Sequence, residues 1–247
     1  MAYRAEFVDD MAGGRPVMGL LVLSSDEVLE QDMRVLLPAS AVVMHTSRVE
    51  NSDEITGDTL AAMAETLTPA ARALPPSATF DVIGYGCTSG TAVIGSDRVA
   101  ELVRAGARVA QVTSPLDALQ RACAALGVSR LALLSPYVEE VSDRLRQAMA
   151  ARGLETPVFG SFNEGREEAV ARISPASIIE AAVDLGQREV EAVFMSCTNL
   201  PSLSVIEEIE AFIGKPVLSS NQVLAWDMAQ RAGITAMPVP VGRLHRA

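Results

Sequence analysis

Asp81-Val82-Ile83-Gly84-Tyr85-Gly86-Cys87-Thr88-Ser89-Gly90 and Glu191-Ala192-Val193-Phe194-Met195-Ser196-Cys197-Thr198-Asn199-Leu200 read the same way. Each is an acidic residue, a short apolar run, a small residue and then Cys-Thr. The run predicts a buried strand, with Cys-Thr falling where the strand ends. The two cysteines are 110 residues apart in a chain of 247. A folded duplication would place their thiols on opposite walls of one cleft. Facing thiols can carry protons or attack carbon without a cofactor.

Working outward, two more pairs repeat in the same order. Val22-Leu23-Ser24-Ser25-Asp26-Glu27 resembles Leu133-Leu134-Ser135-Pro136-Tyr137-Val138, and Gln111-Val112-Thr113-Ser114-Pro115 resembles Val217-Leu218-Ser219-Ser220-Asn221. Apolar runs predict strands over Val17–Leu23, Ala39–Met44, Phe80–Tyr85, Arg108–Thr113, Arg130–Leu134, Thr156–Phe159, Ala192–Met195 and Pro216–Ser219. Between them, helical periodicity covers Asp26–Leu37, Asp58–Leu74, Ser96–Ala105, Pro115–Leu126, Val138–Arg152, Pro175–Arg188, Val205–Ile213 and Asn221–Ala232. Alternating strand and helix is the pattern of α/β folds with parallel sheets. The expected architecture is two similar halves related by a pseudo-twofold duplication, with the active site between them. Residues 1–113 with 220–247 would form the first half, and 114–219 the second, the last helix packing back on the first. Ligands of such sheets bind beyond the carboxyl ends of the strands.

Composition narrows the function classes. The chain is 49% hydrophobic and 21% charged, ample for a packed core. With 4% aromatic residues and a formal charge of −11, neither a base-stacking platform nor a basic nucleic-acid surface is expected. No apolar run approaches the roughly 18 residues of a membrane span. The N-terminal stretch carries Asp9 and Asp10 where a signal peptide needs apolar residues, so a cytoplasmic location is expected. Three cysteines do not suggest a disulfide framework, and their spacing with His45 and His245 does not resemble a zinc site. No metal is expected.

Cys87 lies among Gly84, Gly86, Gly90 and Gly95, with Thr88, Ser89 and Thr91 adding hydroxyls. Small residues let backbone amides approach a ligand, which makes this a candidate carboxylate or oxyanion cradle. The alternative is a plain strand-to-helix turn. A helix beginning near Ser96 would start too late to assist it. Cys197 has Ser196, Thr198 and Asn199 around it, an environment that could lower its pKa; the alternative is a small buried hydrophobe. Cys123, inside an apolar helix, reads as packing. Tyr137 could aim its hydroxyl at a substrate carboxylate, or be half-buried with a wet hydroxyl. Asn163 could donate an amide hydrogen bond, or make a turn. Asp26 at the first strand end, and Asn221, could bind substrate or cap helices. His45 is an unpaired acid–base candidate.

Taken in order, the Ser-Ser turn after strand 1, Gly86-Cys87-Thr88-Ser89-Gly90, Ser135-Pro136-Tyr137, Phe162-Asn163-Glu164, Ser196-Cys197-Thr198-Asn199-Leu200-Pro201 and Ser219-Ser220-Asn221-Gln222 resemble the aspartate/glutamate racemase superfamily. The likeness spans most of the chain and is closer to the maleate isomerase and arylmalonate decarboxylase branch. The resemblance implies two Rossmann-like halves facing each other, no cofactor, Cys87 and Cys197 as the catalytic pair, and Tyr137 and Asn163 holding a small carboxylate substrate. Thr88, Ser89, Thr198 and Asp26 are the further candidate substrate contacts. A homo-oligomer is expected, with no nucleic-acid or membrane partner. Arylmalonate decarboxylases keep only the cysteine matching Cys197, so the presence of both favours an isomerase or racemase over a decarboxylase. Maleate isomerases have asparagine where this chain has Asp26. An aspartate there would repel a second substrate carboxylate but suit a cationic or N–H group. The Leu23-Ser24-Ser25-Asp26-Glu27-Val28 stretch also resembles members tied to ectoine utilisation, whose ligand is a cyclic amidine bearing a carboxylate. A non-catalytic small-carboxylate-binding protein is the reading from another class.

Overall fold

The strand ending at Gly86 and the strand ending at Met195 occupy the same place in two separate four-stranded parallel sheets. The computed structural model describes residues 3–7 and 12–246. In chain order the elements up to the end of the first sheet are β1 (Val17–Leu23), α1 (Leu29–Leu36), β2 (Val43–Val49), α2 (Gly57–Arg72), β3 (Phe80–Gly86), α3 (Thr88–Ile94), α4 (Ser96–Arg104) and β4 (Val109–Thr113). α5 (Pro115–Leu126) then shares a core cluster with the second sheet, and β5 (Arg130–Tyr137), α6 (Glu139–Ala150), β6 (Glu155–Glu164), α7 (Glu167–Val170), α8 (Pro175–Gly186), β7 (Ala192–Met195), α9 (Ile206–Ile213), β8 (Val217–Ser219) and α10 (Ser220–Arg231) follow. The sheet orders are β2-β1-β3-β4 and β6-β5-β7-β8, every pairing parallel. One topology is thus used twice.

Central strands are covered on both faces and read as unbroken apolar runs, as parallel sheets require. From Met18 to Leu23 every residue of β1 is buried, and all of β7 is buried. The edge strand β2 differs. Its expected position, Ala39–Met44, is displaced: the strand is Val43–Val49, where Thr46 and Arg48 are exposed and Ser47 and Val49 buried. An edge strand solvated on one side alternates, so the apolar run preceding it is connection rather than strand. β5 also runs past its expected end at Leu134 to Tyr137, with a register irregularity between Ser135 and Tyr137 at Pro136.

α10 follows β8 directly yet packs beneath β3. A side chain at Gly84 would meet the Met228 sulfur at 2.6 Å, so the missing Cβ is what lets the helix approach. Buried Asp227 accepts from the Arg231 guanidinium at 2.8 Å, from the Thr113 hydroxyl at the end of β4, and from Arg121 of α5. Among the described residues no helix is long and apolar enough to cross a membrane.

Candidate functional site

Cys87 leaves β3 in extended conformation (φ −150°) and caps α3, its sulfur accepting from the Gly90 amide at 3.1 Å. The expected helix from Ser96 is present as α4, but a further one, α3, begins before it at Thr88. Its seven residues include Ser, Gly and two Thr, poor helix formers that hide it from a periodicity reading. Thr88 and Ser89 form its buried first turn. A side chain at Gly90 would stand 2.9 Å from the Cys87 sulfur and 2.7 Å from the Tyr85 oxygen. Glycine there keeps room around the thiol.

Cys197 is held differently. It has φ 100°, a left-handed backbone conformation that a residue with a Cβ rarely adopts. Such strain persists only where surroundings over-determine it, and it concentrates at functional sites. Here the Cys197 amide donates to the Ser220 hydroxyl at 3.0 Å, and the Asn199 amide donates to the Cys197 sulfur at 3.3 Å. The Thr198 hydroxyl donates to the Gly86 carbonyl at 3.1 Å, crossing to the strand that carries Cys87. Asn221 does not cap α10, a task Ser219 performs; its amide donates to the Thr198 carbonyl at 2.9 Å and to Asp32 at 2.7 Å.

Tyr137 stands beside the Cys197 sulfur, oxygen to sulfur 2.8 Å, and donates its hydroxyl proton to Glu167 Oε1 at 2.8 Å. Glu167 also accepts from the Asn199 side-chain amide, at 3.1 Å on Oε2 and 3.0 Å on its main-chain oxygen. Tyr137, Glu167, Cys87 and Cys197 are all buried. The hydroxyl of Tyr137 is therefore spent within the protein rather than wet.

Asp26 is both a cap and something more. Oδ1 accepts from the amides of Val28 and Leu29, each at 2.8 Å, closing the start of α1. Oδ2 is buried and has no hydrogen-bond partner among the described residues. Arg48 lies nearby, its guanidinium donating to the Asp26 carbonyl at 2.7 Å.

These groups share one electrostatic environment. Burial pushes the Cys87 thiol up to about 12, and the charges of Glu167 and Asp26 add to it, against the Gly90 amide and the Tyr85 hydroxyl. Burial likewise holds the Cys197 thiol well above its usual value, Glu167 and Asp26 raising it further while Tyr137 and the Asn199 amide pull it down. The expectation of a lowered Cys197 pKa is thus corrected: hydroxyls and an amide do surround the sulfur, but so do two buried acids. Burial also raises Asp26, opposed by the Leu29 amide and the neighbouring Thr198 hydroxyl, and raises Glu167, opposed by Tyr137 and Asn199. The Thr198 hydroxyl on the Gly86 carbonyl joins the strand ends of the two halves beside this cluster.

Among the described residues, two candidates make no hydrogen bond to the cluster. Asn163 is exposed at the end of β6 with φ 54°, its main-chain amide donating to the Ser161 hydroxyl at 2.8 Å. His45 sits within β2 rather than at a strand end, edge-on to Phe80 with ring centroids 5.9 Å apart. Cys123 is fully buried in the core beneath the second sheet. Sequence reasoning missed Glu167 and Ser220. Glu167 opens a four-residue helix, too short to show periodicity, and neighbours the exposed Glu168. Nothing local distinguishes those two glutamates. Among the described residues no group of three or more His, Cys, Asp or Glu could hold a metal ion.

The sequence profile of the arylmalonate decarboxylase family matches residues 51–245. The maleate isomerase of Nocardia farcinica is 28% identical over 240 residues, covering 93% of this chain and 95% of its own. The arylmalonate decarboxylase of Bordetella bronchiseptica is 33% identical over 123 residues, 49% of this chain and 51% of its own. A solved cysteine-to-serine mutant of the Nocardia farcinica maleate cis-trans isomerase, carrying a covalently bound succinylcysteine intermediate, superposes with a TM-score of 0.83 at 27% identity. The match covers 94% of this chain and 99% of that one.

Proposed function

The chain belongs to the arylmalonate decarboxylase family, and from that premise we propose that it is a cofactor-independent isomerase acting on a small carboxylate through Cys87 and Cys197. Its relatives are isomerases and decarboxylases, and it is an enzyme of that kind. The observation that carries the proposal is the hydrogen bond from Thr198 to the Gly86 carbonyl, which joins the residue after Cys197 to the residue before Cys87, beside a buried cluster that holds Tyr137, Glu167 and Asp26. Two chemistries use such a pair. In one, a thiolate removes the proton next to the carboxylate and the opposite thiol returns one to the other face. In the other, a thiolate adds to an activated alkene, the new single bond rotates, and elimination gives the trans isomer.

The substrate carboxylate would lie against the first turn of α3, with Thr88 and Ser89, and against Thr198. Asp26 favours a substrate that also carries a cationic or N–H group. Its buried Oδ2 is an acceptor in search of a donor, and leaving such an atom unpaired costs about 1–3 kcal/mol. A second carboxylate brought there would meet Asp26 and Glu167 together. The second reading, an arylmalonate-type decarboxylase, is favoured by the match to the Bordetella bronchiseptica enzyme; there the bond broken is carbon to carboxyl, and one thiol protonates the product.

Incubating the protein with a panel of small carboxylates in heavy water, read by proton NMR, tests this. Deuterium at the α-carbon or interconversion of cis and trans alkenes is the expected result. Carbon dioxide release, with deuterium entering only the decarboxylated product, would move the chain to the decarboxylase reading. Ligand-induced stabilisation with no turnover of any kind would make it a binding protein and sink the proposal.

A further inference from the structure

Glu167 is a buried carboxylate, 5% exposed, whose arginine neighbours are engaged elsewhere: Arg166 with Glu164 and Arg172 with Glu27. A charge buried without a cation is costly. What it does have is a hydrogen bond from the Tyr137 hydroxyl at 2.8 Å, and that hydroxyl touches the Cys197 sulfur at 2.8 Å. Tyr137 has one proton. While it donates that proton to Glu167, the contact with Cys197 requires the sulfur to be the donor, hence a thiol. If Glu167 takes up a proton, the phenol is free to turn and donate to a thiolate.

We propose that Glu167 is the positioning residue that, through Tyr137, receives the proton of the Cys197 thiol whenever that sulfur becomes a thiolate. The proposal rests on reading Cys197 as a reacting group. In the step, the Cys197 S–H bond breaks and its proton joins the Tyr137 oxygen. The original Tyr137 O–H bond breaks in concert, and that proton joins Glu167 Oε1. The electron pair stays on sulfur, the phenol ends neutral with its O–H towards the thiolate, and Glu167 ends neutral. The trio carries one negative charge before and after. Moving a charge within a buried site avoids creating a second one there, which direct loss of the thiol proton to solvent would do. Burial increases the affinity of Glu167 for a proton, in the direction the transfer needs. The groups facing this carboxyl are Tyr137 from β5, Asn199 and Cys197 from the segment after β7, Cys87 from the start of α3 and Asp26 from the turn after β1.

The pH dependence of Cys197 alkylation by iodoacetamide tests this in the ligand-free protein. Peptide mass spectrometry follows it, with the rate kept proportional to reagent. A thiolate formed by internal transfer is a fixed fraction of the protein, so the wild-type rate should be flat between about pH 6.5 and about pH 8.5. A thiolate formed by loss to solvent rises about tenfold per pH unit. Glu167→Gln and Tyr137→Phe should convert the flat profile to the tenfold slope, and Glu167→Asp should keep it flat. A through-space charge effect alone predicts the sloped profile in wild type and faster alkylation in Glu167→Gln. A sloped wild-type profile, an undetectable wild-type rate, or flat profiles in both Glu167→Gln and Tyr137→Phe would each overturn the relay. If Glu167→Gln fails to fold, Tyr137→Phe and Glu167→Asp decide. Turnover that survives Cys197→Ala would instead sink the two-thiol reading, so the two failures are distinguishable.

Discussion

The hydroxyl of Thr88 lies 2.8 Å from the hydroxyl of Ser220, and Ser220 also accepts the amide of Cys197. One pair of hydroxyls thereby ties the residue following Cys87 to the backbone of Cys197 across the two halves. Ser220→Ala should remove the acceptor that restrains the left-handed Cys197 backbone. The expected cost is about 1–3 kcal/mol of stability, the range for an orphaned buried donor. Turnover number should fall more than KM changes. Chemical denaturation and steady-state kinetics measure both, and an unchanged turnover number would show that the restraint is dispensable.

Cys87→Ala and Cys197→Ala should each lower turnover by about 10²–10⁴-fold, the range for losing a proton-transferring group, with circular dichroism unchanged. Cys123→Ala should retain activity, because that thiol lies within the packed core around α5. Full activity in either strand-end variant refutes the pairing. Loss confined to Cys123→Ala reverses it.

Asp26→Asn keeps the cap on α1, since asparagine and aspartate cap equally well. It changes what Oδ2 offers. Affinity for a substrate with a cationic or N–H group should fall by about 1.5–3 kcal/mol, the contribution of a hydrogen bond to a charged group. Binding of a dicarboxylate such as maleate should improve. Calorimetric titration of wild type and variant with both ligand classes gives the answer; equal affinities would leave Asp26 as a cap alone.

Alkaline pH should destabilise the protein before its arginines titrate. Burial raises Cys87 and Cys123 from 9.0 to about 12 and raises Cys197 in the same direction, so above pH 9 the unfolded chain sheds thiol protons that the folded one keeps. Stability from these groups is fully present below the unfolded value of 9.0 and is lost as pH climbs towards the folded values. Melting temperature should therefore fall between about pH 8.5 and about pH 11, and the fall should be shallower in a Cys87→Ala/Cys197→Ala double variant. Equal slopes in the two proteins would contradict the raised thiols.

The α/β pattern was legible because buried parallel strands announce themselves. Ala192–Met195 and Pro115–Leu126 have the bounds their apolar runs and helix signals predict. β2 was not, because an edge strand spends its polar residues on solvent and leaves the longer apolar run to the preceding connection. α3 escaped because Cys87 caps it with sulfur, outside the usual Ser, Thr, Asp and Asn set. The repeated Cys-Thr unit pointed to both thiols, but their acidic surroundings come from Asp26 and Glu167, each distant in sequence from the cysteine it influences. Burial and these two acids, seen only in the three-dimensional arrangement, push both thiols up rather than down.

The repeat has drifted out of chemical symmetry at the atoms that matter. In one copy the sulfur caps a helix from an extended backbone; in the other it touches a phenol tied to Glu167 and hangs on a strained backbone. A planar intermediate between such walls meets two unlike proton donors. Equilibrium between mirror-image products is fixed by the products alone, whatever the walls. The path is not so constrained: solvent hydrogen should enter with different retention depending on which hand of the substrate was supplied, a fingerprint of ancestry carried into isotope kinetics.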